Sequence, residues 1–139
     1  QGSLLDGTAD DWRDFTRFIQ EEPLVDDAAF ETVHSLLDVE DFTRYMILQV
    51  WGQNHDWPGN NWYSAKTQND DGRWMFLVWD AEFALGRTAA ETHPDSFNRL
   101  FQQNGNTGAP AADVLTALFT NQGYQKFFLE ELDRQLAEI

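Results

Sequence analysis

The sequence predicts a mainly α-helical fold with one β-hairpin near its centre. Apolar residues recur at helical spacing towards both ends of the chain, whereas two strand-like segments in the middle, the second of them almost entirely apolar, flank the polar turn QNDDG. The chain has 139 residues, of which 42% are hydrophobic and 14% are aromatic. This length and this composition are sufficient for a packed core within a single domain.

Three helices are predicted before the hairpin. The first is capped by Asp10 or Asp11, the second runs from about Asp26 to Leu37, and the third opens at Asp38 or Glu40. The third helix carries an apolar stripe that is expected to face the core: Phe42, Tyr45, Met46, Leu48 and either Val50 or Trp51.

The hairpin and the helices after it complete the predicted fold. Its strands are Trp62 to Thr67 and Arg73 to Trp79. The second strand reads RWMFLVW, which is apolar almost throughout and therefore predicts burial on both faces. Three further helices are expected at Asp95 to Gln103, Ala111 to Phe119 and Asn121 to about Glu138.

Acidic residues far outnumber basic ones: 24 Asp and Glu against 9 Lys and Arg give a net charge of −15. Such a chain repels a phosphate backbone, so nucleic acid and anionic membrane surfaces are disfavoured as partners. An acidic protein can still bind a nucleotide when metal ions bridge its carboxylates and the phosphates. Most of the carboxylates are nevertheless expected to serve solubility alone. The absence of Cys excludes disulfides, and no apolar run is long enough to predict membrane insertion.

Three polar residues around the hairpin have a spacing that points to chemistry. Asp56 and Asn61 form an Asp-x4-Asn pattern before the first strand, and Asp80 follows the second strand. In phosphoryl transfer an Asp orients the acceptor hydroxyl, while an Asn oxygen and a second Asp hold metal. The order matches the C-terminal lobe of protein kinases, which predicts Asp56 as catalytic and Asn61 and Asp80 as ligands.

Structural roles compete with these assignments. Asp56 is also typical of a turn before Trp57-Pro58, and both Asn60 and Asn61 are typical loop caps. Asp80 follows a strand that is predicted to be buried, where an unpaired carboxylate is costly. A metal ion or a cationic partner would compensate that cost, which favours the functional interpretation of Asp80.

The tryptophans near the hairpin offer a third interpretation. Exposed, coplanar indoles would predict a sugar-binding platform, whereas their alternation with apolar residues favours core positions. The four residues concerned are Trp57, Trp62, Trp74 and Trp79.

Two segments of the chain resemble the spore coat protein H (CotH) kinase family. They read NHDWPGNNW and DGRWMFLVWDAEFALG, and the flanking LLDVEDFTRYMILQVWGQN and DVLTALFTNQGYQKFFLEEL are also similar to that family. The resemblance implies an atypical protein kinase that uses ATP with Mg²⁺ or Mn²⁺ to phosphorylate Ser or Thr of a protein. It also implies that Asp56 is catalytic and that Asn61 and Asp80 bind nucleotide and metal. A spore-coat, secreted or cell-surface location is expected on the same ground.

Two features depart from the family pattern. Glu82 stands where the family commonly has a second Asp. The change weakens the metal role without removing it, so Glu82 is expected to be either a second metal ligand or a surface charge. Nothing before Asp10 supplies an N-terminal lobe or its phosphate-contacting Lys, and the two lysines present are Lys66 and Lys126. We therefore expect 1–139 to be a partial domain, the C-lobe, whose N-lobe belongs to the same polypeptide.

A partial domain of this kind carries two expectations. The isolated fragment should have little activity, because the transition state needs both halves of the site, and its exposed inter-lobe surface should favour a homodimer. The alternative function is a non-catalytic structural or interaction module of a coat or cell-surface assembly.

Overall fold

A computed structural model describes residues 5–54, 56–69, 71–86, 96–102 and 109–138. These ranges form a mainly helical fold around one antiparallel hairpin, which confirms the predicted fold class. The helices are α1 (Asp10–Glu21), α2 (Asp27–Leu36), α3 (Val39–Trp51), α4 (Ser96–Gln102), α5 (Pro110–Leu118) and α6 (Gln122–Ala137). The strands are β1 (Trp62–Ala65) and β2 (Met75–Val78), and a 3-10 turn follows at Ala81–Phe83.

Side-chain caps fix the starts of three helices. Asp26, Asp38 and Asn121 each accept a hydrogen bond from the main-chain N–H three residues later, at 2.8, 3.2 and 3.0 Å. The prediction that Asp10 or Asp11 caps the first helix is wrong. Both residues lie inside the first turn of α1, where their negative charges interact favourably with the positive end of the helix dipole.

The hairpin packs on the core through one face. Its register pairs Trp62 with Val78 and Ser64 with Phe76, and Phe76 is buried against the helices. The predicted burial of β2 on both faces is wrong, since Leu77 and Val78 are 46% and 45% exposed. A two-stranded sheet with helices on one face leaves its other face and its open end in solvent.

Helix α3 lies at the centre of the fold, in contact with β2, α4 and α6. Its residues Phe42, Tyr45 and Met46 are buried, as predicted. Of the alternatives Val50 and Trp51, Val50 packs against the core. Leu48 and Trp51 are about half exposed, at 49% and 51%, so the predicted core position of Leu48 is wrong. They lie one turn apart on the same side of the helix, away from the buried stripe.

The core brings together residues from most of the described chain. Its largest fully buried side chains include Phe15, Leu24, Phe42, Met46, Trp57, Leu100, Leu115, Leu118 and Tyr124. The described helices include none with both the length and the apolar character needed to cross a bilayer.

Candidate functional site

The loop between α3 and β1 is tied to α3 by buried contacts. Trp57 is buried, and its Nε1 donates a hydrogen bond of 2.6 Å to the Tyr45 hydroxyl. Asn54 is fully buried and donates from Nδ2 to Gln49 Oε1 at 3.2 Å. Burial raises the pKa of Tyr45 to about 12, so the hydroxyl stays neutral and accepts the indole hydrogen bond at ordinary pH.

Asp56 lies between these two anchored residues. It is half-buried, and its main-chain oxygen accepts a hydrogen bond of 2.9 Å from the N–H of Asn60, which closes a turn. Its carboxylate forms no hydrogen bond or ion pair with the other described residues. Asp56 is therefore a turn residue whose main chain is fixed and whose carboxylate is left for another partner.

Asn61 and Asp80 meet at the open end of the hairpin. Asn61 directly precedes β1 and Asp80 follows β2 by two residues, and Nδ2 of Asn61 donates to the main-chain oxygen of Asp80 at 3.1 Å. Both residues have left-handed backbone conformations, with φ of 57° and 48°. Asn and Asp are the non-glycine residues that adopt this conformation most readily, which accounts for their occurrence at these two corners.

The Asp80 side chain is exposed, contrary to the expectation that it would be buried beside a core strand. The argument from the cost of an unpaired buried carboxylate is therefore wrong for Asp80. Its main chain precedes the 3-10 turn, but its side chain makes no capping hydrogen bond there. Glu82 lies within that turn, two residues after Asp80, and is also exposed.

The described basic side chains are engaged away from these carboxylates. Lys66 pairs with Asp11 at 2.9 Å, and Arg73 pairs with Asp38 at 2.8 Å. None of the described Lys and Arg side chains forms an ion pair with Asp80. The open end of the hairpin therefore keeps its negative charge, which is the charge a cation requires.

The donor chemistry at this end fits a hard divalent cation. The described residues include no group of three or more His, Asp or Glu side chains placed to hold a metal. Mg²⁺ in phosphoryl-transfer sites is held by one or two protein ligands together with phosphate oxygens. Asp80 offers a carboxylate, and the amide oxygen of Asn61 accepts no hydrogen bond from the described residues.

Two aromatic side chains flank Asn61 and Asp80: the exposed Trp79, which the sequence offered for a sugar-binding platform, and the half-buried Tyr63, for which no role was predicted. Trp79 is 55% exposed, and its ring meets that of Tyr63 at 4.9 Å in an edge-to-face contact. Tyr63 pairs with Leu77 on the hairpin face that the helices leave uncovered. The signal available in the sequence was strand alternation, which places Tyr63 and Leu77 opposite the buried Phe76.

The other indoles do not form a sugar-binding platform. Trp57 is buried, while Trp62 and Trp74 are half-buried around Trp12. The near-parallel pair Trp12 and Trp62, with ring centroids 5.8 Å apart, packs against the core. For these residues the structure therefore contradicts the carbohydrate interpretation, which predicted exposed, coplanar indoles.

The sequence was compared with protein families, curated proteins and solved structures. The family described as CotH kinase protein matches residues 3–139. No curated protein and no solved structure matches the chain. Because the family match extends over nearly all of the 139 residues, the chain belongs to the CotH kinase family.

Proposed function

We propose that this chain carries the catalytic-loop half of a metal-dependent kinase that transfers the γ-phosphate of ATP to Ser or Thr of a protein. The observation that carries the proposal is the hydrogen bond from Asn61 to the main chain of Asp80. It holds an amide oxygen and a carboxylate at one end of the hairpin, and the loop with Asp56 leads directly into that end. Membership of the CotH kinase family supports a kinase-like role.

Asn61 and Asp80 are the proposed protein ligands of Mg²⁺ or Mn²⁺, and Glu82 supplies a second acidic group within the following turn. The metal would neutralise phosphate oxygens as charge develops on them. A bridging cation is needed here more than in most chains, because a net charge of −15 repels a free nucleotide.

Asp56 is the proposed residue that orients the acceptor. Its carboxylate would accept the proton of the Ser or Thr hydroxyl as that oxygen bonds to the γ-phosphorus and the bond to the β–γ bridging oxygen breaks, releasing ADP. The half-buried position and the fixed main chain of Asp56 suit this role, since orientation is most of what the protein contributes.

Trp79 and Tyr63 are the proposed surface for the nucleotide base. Trp79 directly precedes Asp80, so a nucleotide whose phosphates reach the metal ligands has an exposed indole within reach of its base. Stacking of a base on an aromatic side chain is worth about 1–3 kcal/mol.

One observation favours a non-catalytic structural or interaction module as the second candidate. A kinase needs a cation on the nucleotide phosphates, yet Lys66 of the hairpin region is held by Asp11 and is only 21% exposed. If the protein is a kinase, the positively charged side chain on the phosphates is proposed to come from an N-lobe of the same polypeptide. If it is a structural or interaction module, no such side chain is needed.

Transfer of ³²P from γ-labelled ATP separates these two functions. The assay uses a polypeptide in which this chain is joined to its N-lobe, with dephosphorylated casein and the polypeptide itself as acceptors. We expect Asp56→Asn to lower transfer by about 10²–10⁴-fold at unchanged Mn²⁺–ATP affinity. Asp133→Asn, which removes an exposed carboxylate of α6, is the matched control and should be as active as wild type. A wild-type polypeptide that binds no Mn²⁺–ATP and transfers no phosphate would favour the structural module.

A further inference from the structure

One cationic side chain contacts the loop that carries Asp56. Nη2 of Arg99, on α4, donates hydrogen bonds to the main-chain oxygens of Asn54 at 2.8 Å and Trp57 at 2.5 Å. These two carbonyls lie on either side of Asp56 in the sequence. A single NH₂ group of the guanidinium therefore holds the chain before and after the proposed catalytic carboxylate.

The helix that presents Arg99 is itself anchored in the core. Leu100, the next residue, is fully buried. Phe97 packs edge-to-face on Phe119 at 5.6 Å, and its ring lies 5.8 Å from that of Phe128 on α6. The guanidinium thus extends from a backbone whose position is fixed by α5 and α6 and not by the loop alone.

The same two loop residues are also held by α3. Asn54 contacts Gln49, and the Trp57 indole contacts Tyr45. Each residue has its side chain fixed by α3 and its main-chain oxygen fixed by Arg99. Asp56, between them, is consequently left with little freedom to shift relative to the core.

Hydrogen bonds from a charged donor to a carbonyl are stronger than those between neutral groups. Arg99 is half-buried, and burial lowers its pKa, but a guanidinium stays charged at neutral pH. Its planar fork loses little side-chain freedom for each hydrogen bond formed, whereas Lys is shorter by one bond and lacks that fork. These properties suit a rigid main-chain clamp.

We propose that Arg99 is a positioning residue, which clamps the main chain on both sides of Asp56 and so holds the carboxylate where the acceptor hydroxyl arrives. The inference rests on the proposed kinase function. A displacement of about 1 Å at a reacting group costs on the order of 10²-fold in rate, so a clamp of this kind acts on turnover more than on nucleotide binding.

The test compares Arg99→Met and Arg99→Lys with Arg17→Met, a control that removes an exposed Arg paired only locally with Asp14. Three quantities are measured on the polypeptide joined to its N-lobe: kcat for phosphate transfer, the Mn²⁺–ATP dissociation constant, and amide hydrogen exchange of residues 56–61. We expect Arg99→Met to lower kcat at least tenfold, to change the dissociation constant less than twofold and to speed exchange in the loop. Arg99→Lys should recover part of the lost kcat, and the control should match wild type.

Wild-type kcat in Arg99→Met would overturn the proposal. So would equal losses of kcat and nucleotide affinity, because they would show a general structural role. If Arg99→Met does not fold, Arg99→Lys decides: a wild-type kcat overturns the proposal and a reduced one with intact binding supports it. A wild-type polypeptide without transfer activity would contradict the kinase function itself, and unchanged loop exchange in Arg99→Met would then reject the clamp as well.

Discussion

The side chain of Asn61 donates a hydrogen bond of 3.1 Å to the main-chain oxygen of Asp80 across the open end of the hairpin. Both residues adopt left-handed backbone conformations, which cost a non-glycine residue of order 1–3 kcal/mol unless the surroundings fix them. The hydrogen bond uses the amide nitrogen of Asn61 and leaves the amide oxygen for another partner. The contact therefore fixes the corner and leaves an amide oxygen available for the metal that we propose.

Two substitutions of Asn61 distinguish the contribution of its amide group to nucleotide binding from the contribution of its backbone conformation to stability. We predict that Asn61→Ala and Asn61→Gly both weaken Mn²⁺–ATP binding at least tenfold, because both lack the amide oxygen. Asn61→Gly should be more stable than Asn61→Ala by about 1 kcal/mol, since Gly adopts φ of 57° without strain. Calorimetric titration and thermal unfolding measure the two effects. Wild-type affinity in either variant would remove Asn61 from the metal site.

The exposed indole of Trp79 should contribute to binding of the nucleotide base. We predict that Trp79→Ala weakens Mn²⁺–ATP binding by about 5–150-fold, the equivalent of 1–3 kcal/mol of lost stacking. Trp51→Ala is the matched control, because Trp51 is similarly exposed, at 51% against 55%, but lies at the end of α3. Equal weakening in the two variants would show that Trp79 has no specific role. Inorganic triphosphate should bind both variants alike.

Acid stability should depend on Glu131, whose side chain is only 5% exposed. Burial would raise the pKa of Glu131, but hydrogen bonds from Arg134, Gln135 and Arg44 lower it to about 2. A carboxyl with a depressed folded-state pKa stabilises the protein above its unfolded pKa of 4.5, and that contribution is lost as the pH falls towards 2.

We therefore predict that Glu131→Gln lowers the melting temperature at pH 7 by roughly 2–8 °C, the equivalent of about 1 kcal/mol. The magnitude is modest because Arg44 and Arg134 are about half exposed and solvent screens part of the interaction. The difference from wild type should be constant above pH 6 and should shrink below pH 4.5. A difference that persists at pH 2 would contradict the pKa assignment.

The hairpin turn should require Gly at position 72. A Cβ there would lie 2.1 Å from the main-chain oxygen of Thr67, whereas a Cβ on Gly59 would meet nothing within 4 Å. We predict that Gly72→Ala destabilises the protein by about 1–3 kcal/mol and that Gly59→Ala changes stability by less than 0.5 kcal/mol, measured by urea unfolding. A Gly72→Ala variant as stable as wild type would contradict the turn geometry.

Local signals account for what the sequence predicted well. Asp38 and Asn121 are followed by apolar stripes of helical period, so the starts of α3 and α6 followed from cap chemistry. The hairpin followed from two strand-like segments, the second almost entirely apolar, around a turn with Gly72. These features depend on residues within a few positions of one another, which a single sequence displays.

Burial was predicted less well because it depends on what covers each face. Leu77 looks like a core residue, but no third strand or helix covers its face of the hairpin in the described chain. Val78 lies on the face of the buried Phe76, but it is the last residue of β2 and is still 45% exposed. The exposure of Asp80 follows from the same cause. Arg99 gave no local signal at all, since its contacts are 42 and 45 residues away in the sequence.

The central claim is that Asn61 and Asp80 form a metal–nucleotide site, and calorimetric titration of the chain with Mn²⁺–ATP tests it most directly. Asp80→Asn is the decisive variant, because Asn tolerates the left-handed conformation at φ of 48° while removing the charge. Asp133→Asn controls for the loss of one carboxylate elsewhere. We predict saturable binding by wild type and by Asp133→Asn, and binding at least tenfold weaker in Asp80→Asn. Binding by Asp80→Asn that equals wild type would contradict the account.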